Sequence, residues 1–220
     1  MATYITLINS VLAKLRESSV ATPTETTYSA LIGELVNESK QAVEDAWKWS
    51  ALRSTKTVTT ANGTSQYAVT GSGDRFKLQN TERSVYNTTA NNLGWLYQRA
   101  SSYMKEQAIV NTTVAPPCYF YFEGLDSNGD TYVNFHATPD AVYTINFDLV
   151  VPQADFSVGT ETLSVPSRAV ILGAYVRALA ERGEDQGNTH GEAVAHYNTA
   201  LQDSIAIDES KILGETTWYV

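Results

Sequence analysis

Three groups of residues have types and spacings from which chemistry could be built. Asp126, Asn128 and Asp130 alternate around Gly129, the odd-numbered spacing with which calcium loops begin. The glycine falls before the third acidic position and no helical pattern flanks the run, so an EF-hand is argued against and a hairpin turn is expected, Asn128-Gly129 supplying the positive φ. Among the three histidines, His136 falls in a strand pattern, whereas His190 and His196 stand six residues apart on nearly opposite helix faces. Glu192 and His196 are at i and i+4 without a third ligand, the pattern of a surface pair and not of a metal site. Glu181, Glu184 and Asp185 gather at a helix end, where two carboxylates could act as acid and base. Their setting, ERGEDQGN, is polar and glycine-bearing, which reads as a solvated loop. The sequence has no phosphate-cradling glycine loop, no G-x-S-x-G elbow and no dinucleotide fingerprint. The expectation is a protein that is not an enzyme and holds no cofactor or metal.

Aromatic residues are the other resource. Trp47 and Trp49 are two apart and cannot share one helical stripe, so one is expected in a helical core and the other against the β region. Trp95 and Tyr97 lie in TTANNLGWLYQRA, which periodicity does not assign, and Trp218 and Tyr219 lie in the last residues. Aromatics on such segments read as partner anchors, because they bury much area for little lost rotamer freedom. The single cysteine, Cys118, excludes an intramolecular disulfide or a multi-cysteine metal site, and its place in CYFYF predicts burial.

The elements that must position these groups follow from hydrophobic period. Tyr4, Ile5, Ile8, Val11, Leu12 and Leu15 predict a first helix, which breaks in SSVATPTET. A second begins after Thr24 or Thr26 as N-cap and runs through Tyr28, Leu31, Ile32, Leu35, Val36, Ala42, Val43, Ala46 and Trp47. Glu34, Asn37, Glu38, Lys40, Gln41 and Glu44 are assigned to its wet face. Short Thr-, Val- and Tyr-rich runs then predict strands, with turns at Asn62-Gly63, Gly71-Ser72-Gly73-Asp74 and Asn128-Gly129. CYFYFEGL, TYVNFHAT and VYTINFDLVV read as a three-stranded antiparallel meander, and ASSYMKEQAIV as one short helix. Pro166-Ser167 open a third long helix through Val170, Ile171, Ala174, Tyr175, Ala178 and Leu179. A fourth carries Ala193, Val194, Tyr197, Leu201, Ser204 and Ile205 and ends in polar residues around Asp208 to Lys211.

The expected class is therefore α+β: a helical bundle built from both chain ends, 1–52 and 166–212, with an inserted antiparallel β-rich lobe, 53–165, and an extended C-terminal arm, 213–220. The chain has 220 residues, 43% of them hydrophobic and 18% charged, enough for a real core. A net charge of −9 opposes the counterion-release binding of ordinary DNA readers. No run approaches the roughly 18 apolar residues of a membrane helix, and MATYITLINSVLAKL lacks a signal peptide's basic region, so synthesis in the cytoplasm is expected.

The opening YITLINSVLAKLRES, the Thr/Ser-rich break and TTYSALIGELVNESKQAVEDAWKWSALR, followed by a TxTVTT strand, resemble the head-to-tail adaptor proteins of short-tailed bacteriophages, the tail tubular protein A type. The most specific part is Val36-Asn37-Glu38-Ser39-Lys40 followed by Trp47-Lys48-Trp49-Ser50-Ala51-Leu52-Arg53. The resemblance implies a structural virion protein at the head–tail junction: a ring, typically of twelve copies, beneath the portal protein, prolonging the DNA channel and docking the tail nozzle protein. DNA would pass without specific binding, and no membrane is involved. On this resemblance Trp218, Tyr219 and Val220 are the expected portal contact. Trp95, Tyr97, Asn62, Gly63, Asn128 and Gly129 are expected to meet the nozzle or a neighbouring copy. The alternatives are a carbohydrate-binding module with Trp95 and Tyr97 as platform, a cell-wall hydrolase using Glu181 or Glu184 with Asp185, and a related completion or stopper protein.

Overall fold

Leu7, Ile8, Val11 and Leu12 recur at the helical period and form the buried stripe of α1 (Tyr4–Lys14) in the computed structural model, which describes residues 2–80, 83–89, 94–110, 113–183 and 188–211. α2 (Thr27–Ala46) opens at a capping box: the Thr26 hydroxyl accepts the Ser29 N–H while the Ser29 hydroxyl accepts the Thr26 N–H. The backbone becomes extended at Trp47, and the buried Trp49 donates its indole N–H to the Val43 carbonyl at 2.7 Å.

A 3-10 turn at Ser50–Leu52 leads into β1 (Arg53–Thr59), β2 (Gln66–Ala68), β3 (Lys77–Leu78), β4 (Val85–Asn87), β5 (Gly94–Trp95) and β6 (Tyr97–Gln98). α3 (Ser101–Val110), β7 (Tyr119–Leu125), β8 (Thr131–His136) and β9 (Thr144–Val150) follow, then α4 (Ser167–Glu181) and α5 (Asn188–Glu209). The class is mixed α+β. The chain divides into two compact units, one made of the described residues of Met1–Leu52 and Pro152–Val220, the other Arg53–Val151. Residues 152–165, which the sequence assigned to the β-rich part, group with the helices.

In the helical unit α4 packs on α1, α2 and α5. At Gly173 the packing leaves no room for a side chain: a Cβ would stand 2.3 Å from the Ser39 hydroxyl and 2.9 Å from the Tyr197 ring. Ser39 donates to the Val170 carbonyl at 2.8 Å, so small residues let α2 and α4 meet backbone to side chain. Asp208 is not the solvated terminator that the sequence predicts. It is buried, and its carboxylate accepts both the backbone N–H and the hydroxyl of Ser50, at 2.9 and 2.5 Å.

The β unit is two sheets. One has the order β1-β9-β4-β5 with β3 also beside β9, the other β2-β8-β7-β6. Strict alternation along β8 and β9 sends Val133, Phe135, Ile145, Phe147 and Leu149 into a shared core. Phe147 of one sheet stands 6.1 to 6.3 Å from Phe120, Phe122 and Phe135 of the other, edge-on or tilted.

Three expectations are corrected here. The meander does not form: β7 and β8 pair, but β9 crosses to the other sheet, because residues 137–143 are too long a connection for a tight hairpin and Tyr143 is drawn into the core. The sheets are not wholly antiparallel, since β6 pairs parallel with β7 at Tyr97↔Tyr119. Cys118 is exposed, because it lies ahead of the first residue of β7 and its thiol turns back to the Pro116 carbonyl.

Candidate functional site

The residues with the strongest local chemistry are ones that the sequence placed in water. Asn37, Lys40, Gln41 and Glu44 recur at i, i+3, i+4 and i+7, a single helical stripe, and Asn37, Lys40 and Glu44 are buried, Lys40 at 0% exposure. The wet-face assignment is therefore wrong for these three. The partner of the stripe is the irregular segment 153–156, whose backbone groups no sheet satisfies. Asn37 exchanges two 3.0 Å hydrogen bonds with the Phe156 backbone, donating to its carbonyl and accepting its N–H. The Lys40 ammonium donates to the carbonyls of Gln153 and Ala154 at 2.9 and 2.7 Å. It also lies 3.8 Å from Glu44, 3.6 Å from Asp155 and 4.8 Å above the Phe156 ring. Glu44 accepts the Gln153 N–H at 3.2 Å, and Gln41 donates to Asp155. Lys40, Glu44 and Asn37 hold this segment from inside, while Asp155 and Gln41 stand at its solvent margin. The signal that would have found the stripe is the helical spacing of the polar residues themselves.

The predicted contact residues fall in different parts of the β unit. Thr59 pairs with Thr144, Tyr119 with His136, and Phe135 donates its N–H to the Ser65 carbonyl. The 60–65 turn, the start of β7 and the 137–143 connection thus share one end, where Gly63 N–H donates to Pro139 at 2.9 Å. The other end is where β1 begins, β9 finishes and Asn128-Gly129 turns. Asn62-Gly63 and Asn128-Gly129 are therefore at opposite ends, each glycine in the left-handed region, φ 78° and 83°. Tyr97 pairs with Tyr119 at the start of β7 and so falls toward the 60–65 end, and Trp95 pairs with Tyr86 of β4. Trp95 and Tyr97 terminate different sheets on one side of the unit, 43% and 51% exposed, with Leu96 buried between them. Trp95 meets Tyr86 edge-on at 5.1 Å, and Arg99 lies 5.1 Å from the Tyr119 ring.

The calcium-like spacing is occupied by backbone. Asp126 accepts the N–H groups of Asn128 and Asp130, both at 2.8 Å, which is the turn itself. Asp130 reaches across to the 71–73 loop, accepting the N–H of Gly71 at 2.9 Å and of Gly73 at 3.0 Å. These bonds, Gly71's first, hold its carboxyl below the ordinary value despite the opposing effect of burial. Among the described residues no cluster of His, Cys, Asp and Glu is arranged to hold a metal. Glu181 is exposed, and Glu184 and Asp185 lie outside the described residues, as do Trp218, Tyr219 and Val220.

Sequence reasoning missed two surfaces. Ile109, Val110 and Val114 are 83%, 77% and 55% exposed, apolar side chains on a helix and its exit that show no amphipathic period to flag them. A groove of about 600 Å³ between α1, α4 and α5 is lined by Ser10, Lys14, Ser167, Arg168, Ile171, Leu172 and His196. No described helix is long and apolar enough to cross a membrane.

No sequence among curated proteins matches the chain. A family model described as SU10 adaptor protein matches residues 2–217, and the chain belongs to that family of adaptors.

Proposed function

We propose that the protein is a head-to-tail adaptor of the tail tubular protein A kind: a structural virion protein whose copies form a ring, twelve in number, between the portal protein and the tail nozzle protein. The ring prolongs the DNA channel. The adaptor-family match over residues 2–217 carries the reading. In it, the helical unit and the inserted β unit, 53–151, are separate working surfaces. The apolar arm 213–220 enters the portal through Trp218, Tyr219 and Val220. A net charge of −9 suits a channel wall past which DNA slides without sticking. The Asn62-Gly63 end of the β unit, opposite the residues that join it to the rest of the chain, is offered to the nozzle protein. Trp95, Tyr97 and the Asn128-Gly129 turn are left for contact between copies.

The test is the light-scattering mass of the purified chain, alone and mixed with portal rings, beside a version lacking Trp218 to Val220. The full chain is expected to add to the portal as a fixed multiple and the truncated one not to. Failure of both versions to bind would overturn the portal contact. Glycan binding that survives the truncation would favour the carbohydrate-binding alternative.

A further inference from the structure

β1 ends its sheet, and register decides which of its backbone groups are left over. Thr60 donates its N–H to the Tyr143 carbonyl at 2.9 Å, so in the antiparallel ladder Ser54, Lys56 and Val58, at even spacing from it, also turn their N–H and carbonyl groups to β9. β9 agrees from its other side. Asp148, the partner of Thr55, donates to the Ser84 carbonyl at 2.7 Å and accepts the Gln79 N–H at 3.1 Å, both away from β1. The main-chain groups of Thr55, Thr57 and Thr59 therefore point outward from the sheet, and among the described residues they have no partner. Their three donors and three acceptors, recurring at about 7 Å, match one chemistry, the backbone of another extended strand. Left bare, such an edge invites pairing with any chain that offers a strand.

The chain's own remainder supplies such a strand. Beyond Lys211, the last described residue, the sequence runs from Ile212 to Val220, and Thr216 to Val220 are five successive residues of types that favour strands. This segment starts beside the start of β1. The Asp208 carboxylate accepts the N–H and the hydroxyl of Ser50 at 2.9 and 2.5 Å, and Lys211 still donates its N–H to the Asp208 carbonyl at 3.1 Å. Ser50–Leu52 in turn runs directly into β1 at Arg53. Length fits as well: Thr57 is seven residues beyond Ser50 and Trp218 seven beyond Lys211, each at most about 23 Å of chain. We infer that in the free chain residues 213–220 lie along the outer edge of β1, as an added strand that covers Thr55, Thr57 and Thr59. The adaptor reading sends the same arm to the portal, so portal rings draw it off and bare the edge. The pairing itself is a property of the free chain, and its failure leaves that reading standing.

Amide exchange of the free chain, without portal rings, is the test. In the full chain the Thr55, Thr57 and Thr59 amides are expected to exchange at least tenfold more slowly than in a version lacking residues 213–220. Lys56 and Val58, bonded to β9, should exchange alike in both versions and so report an intact sheet. Fast exchange of the three threonines in both versions overturns the inference, and so does slow exchange in both. A second readout places the arm. Chains carrying Cys118→Ser and Trp218→Cys with Thr55→Cys, Thr57→Cys or Thr59→Cys are mildly oxidised at low concentration, since a disulfide forms only where Cα atoms come within about 7 Å. An intramolecular disulfide is expected in at least one of the three. No disulfide in any of them overturns the arrangement, and a covalent dimer alone overturns it by assigning the arm to a second copy. When portal rings are added to the full chain, the three threonine amides are expected to lose their protection. Protection that persists on bound rings keeps the arm on β1 and overturns its role as the portal contact.

Discussion

The two units solve opposite problems. In the helical unit polar groups are inside: Lys40, Glu44, Asn37 and Asp208 are buried and bonded to backbone that no regular element satisfies. The β unit also buries Asn87, Asp130 and Thr131, but these lie at turns and strand ends, while the space between its sheets is closed by Phe147 against three other phenylalanines and large apolar groups are left outside. Buried polar bonds fix one arrangement of an irregular segment, because any other leaves a charge or an amide unsatisfied. An apolar sandwich closes on itself without such help, and its outward aromatics contribute little until a partner covers them. The helical unit is thus specified from within and the β unit is completed from outside.

Breaking the helical side of this contrast should give the largest effect. Lys40→Ala removes an ammonium bonded to the Gln153 and Ala154 carbonyls and leaves Glu44 buried. We expect a loss of about 3–5 kcal/mol, the usual cost of breaking a buried ion pair, read as a shifted urea midpoint with α2 amides losing hydrogen-exchange protection first. A change below about 1 kcal/mol would mean that the stripe is not what holds residues 153–156. Gly173→Ala tests the same unit by crowding: the new methyl stands 2.3 Å from the Ser39 hydroxyl. Overpacking of this kind should cost about 1–3 kcal/mol by thermal unfolding.

This contrast also decides what could be read from the sequence. The β core was legible because apolar alternation is the same signal whether a strand pairs left or right, so Ile145, Phe147 and Leu149 declare themselves. Their sheet did not, since period fixes a residue's face and not the strand beside it, and β9 left β8 for β1 and β4. In the helices the apolar stripe was legible and the polar one was misread. Lys40 and Glu44 look solvated by type, and only the backbone of a distant irregular segment makes their burial favourable. Cys118 erred the other way: its neighbourhood in sequence is apolar, but the strand begins one residue after it, at Tyr119. The Asn-Gly turns were found at once, but that they occupy opposite ends depended on strand register.

A smaller effect should come from acid, and in the β unit it falls on Asp130. Asp130 has a folded-state pKa below its ordinary 3.8, through the Gly71 and then the Gly73 N–H bonds. A depressed carboxyl contributes stability that is complete above the ordinary value and is lost as pH falls through the lower, folded one. As pH falls from the ordinary 3.8 through the lower folded value the 71–73 loop should therefore loosen, seen as a loss of protection of the Gly71 and Gly73 amides relative to their intrinsic exchange rates. Asp130→Asn should exchange faster already at neutral pH and show no further acid step from this residue. An unchanged acid step would assign it to another carboxyl.

The smallest effect on folding should come from the most apolar surface, and that is the sharpest form of the contrast. Ile109 is 83% exposed, so Ile109→Ser takes almost no area out of a core and should leave the unfolding midpoint within about 0.5 kcal/mol. Met104→Ser, five residues away on the same helix, removes its one buried side chain and should detach α3 from β7. If Ile109→Ser proves as destabilising as Met104→Ser, the outer apolar residues are part of the unit's own core and the division between a self-specified and a partner-completed unit fails. If only Met104→Ser destabilises while Ile109→Ser weakens assembly, the exposed face belongs to the assembled state, and its apolar character is accounted for by the neighbour and not by the fold.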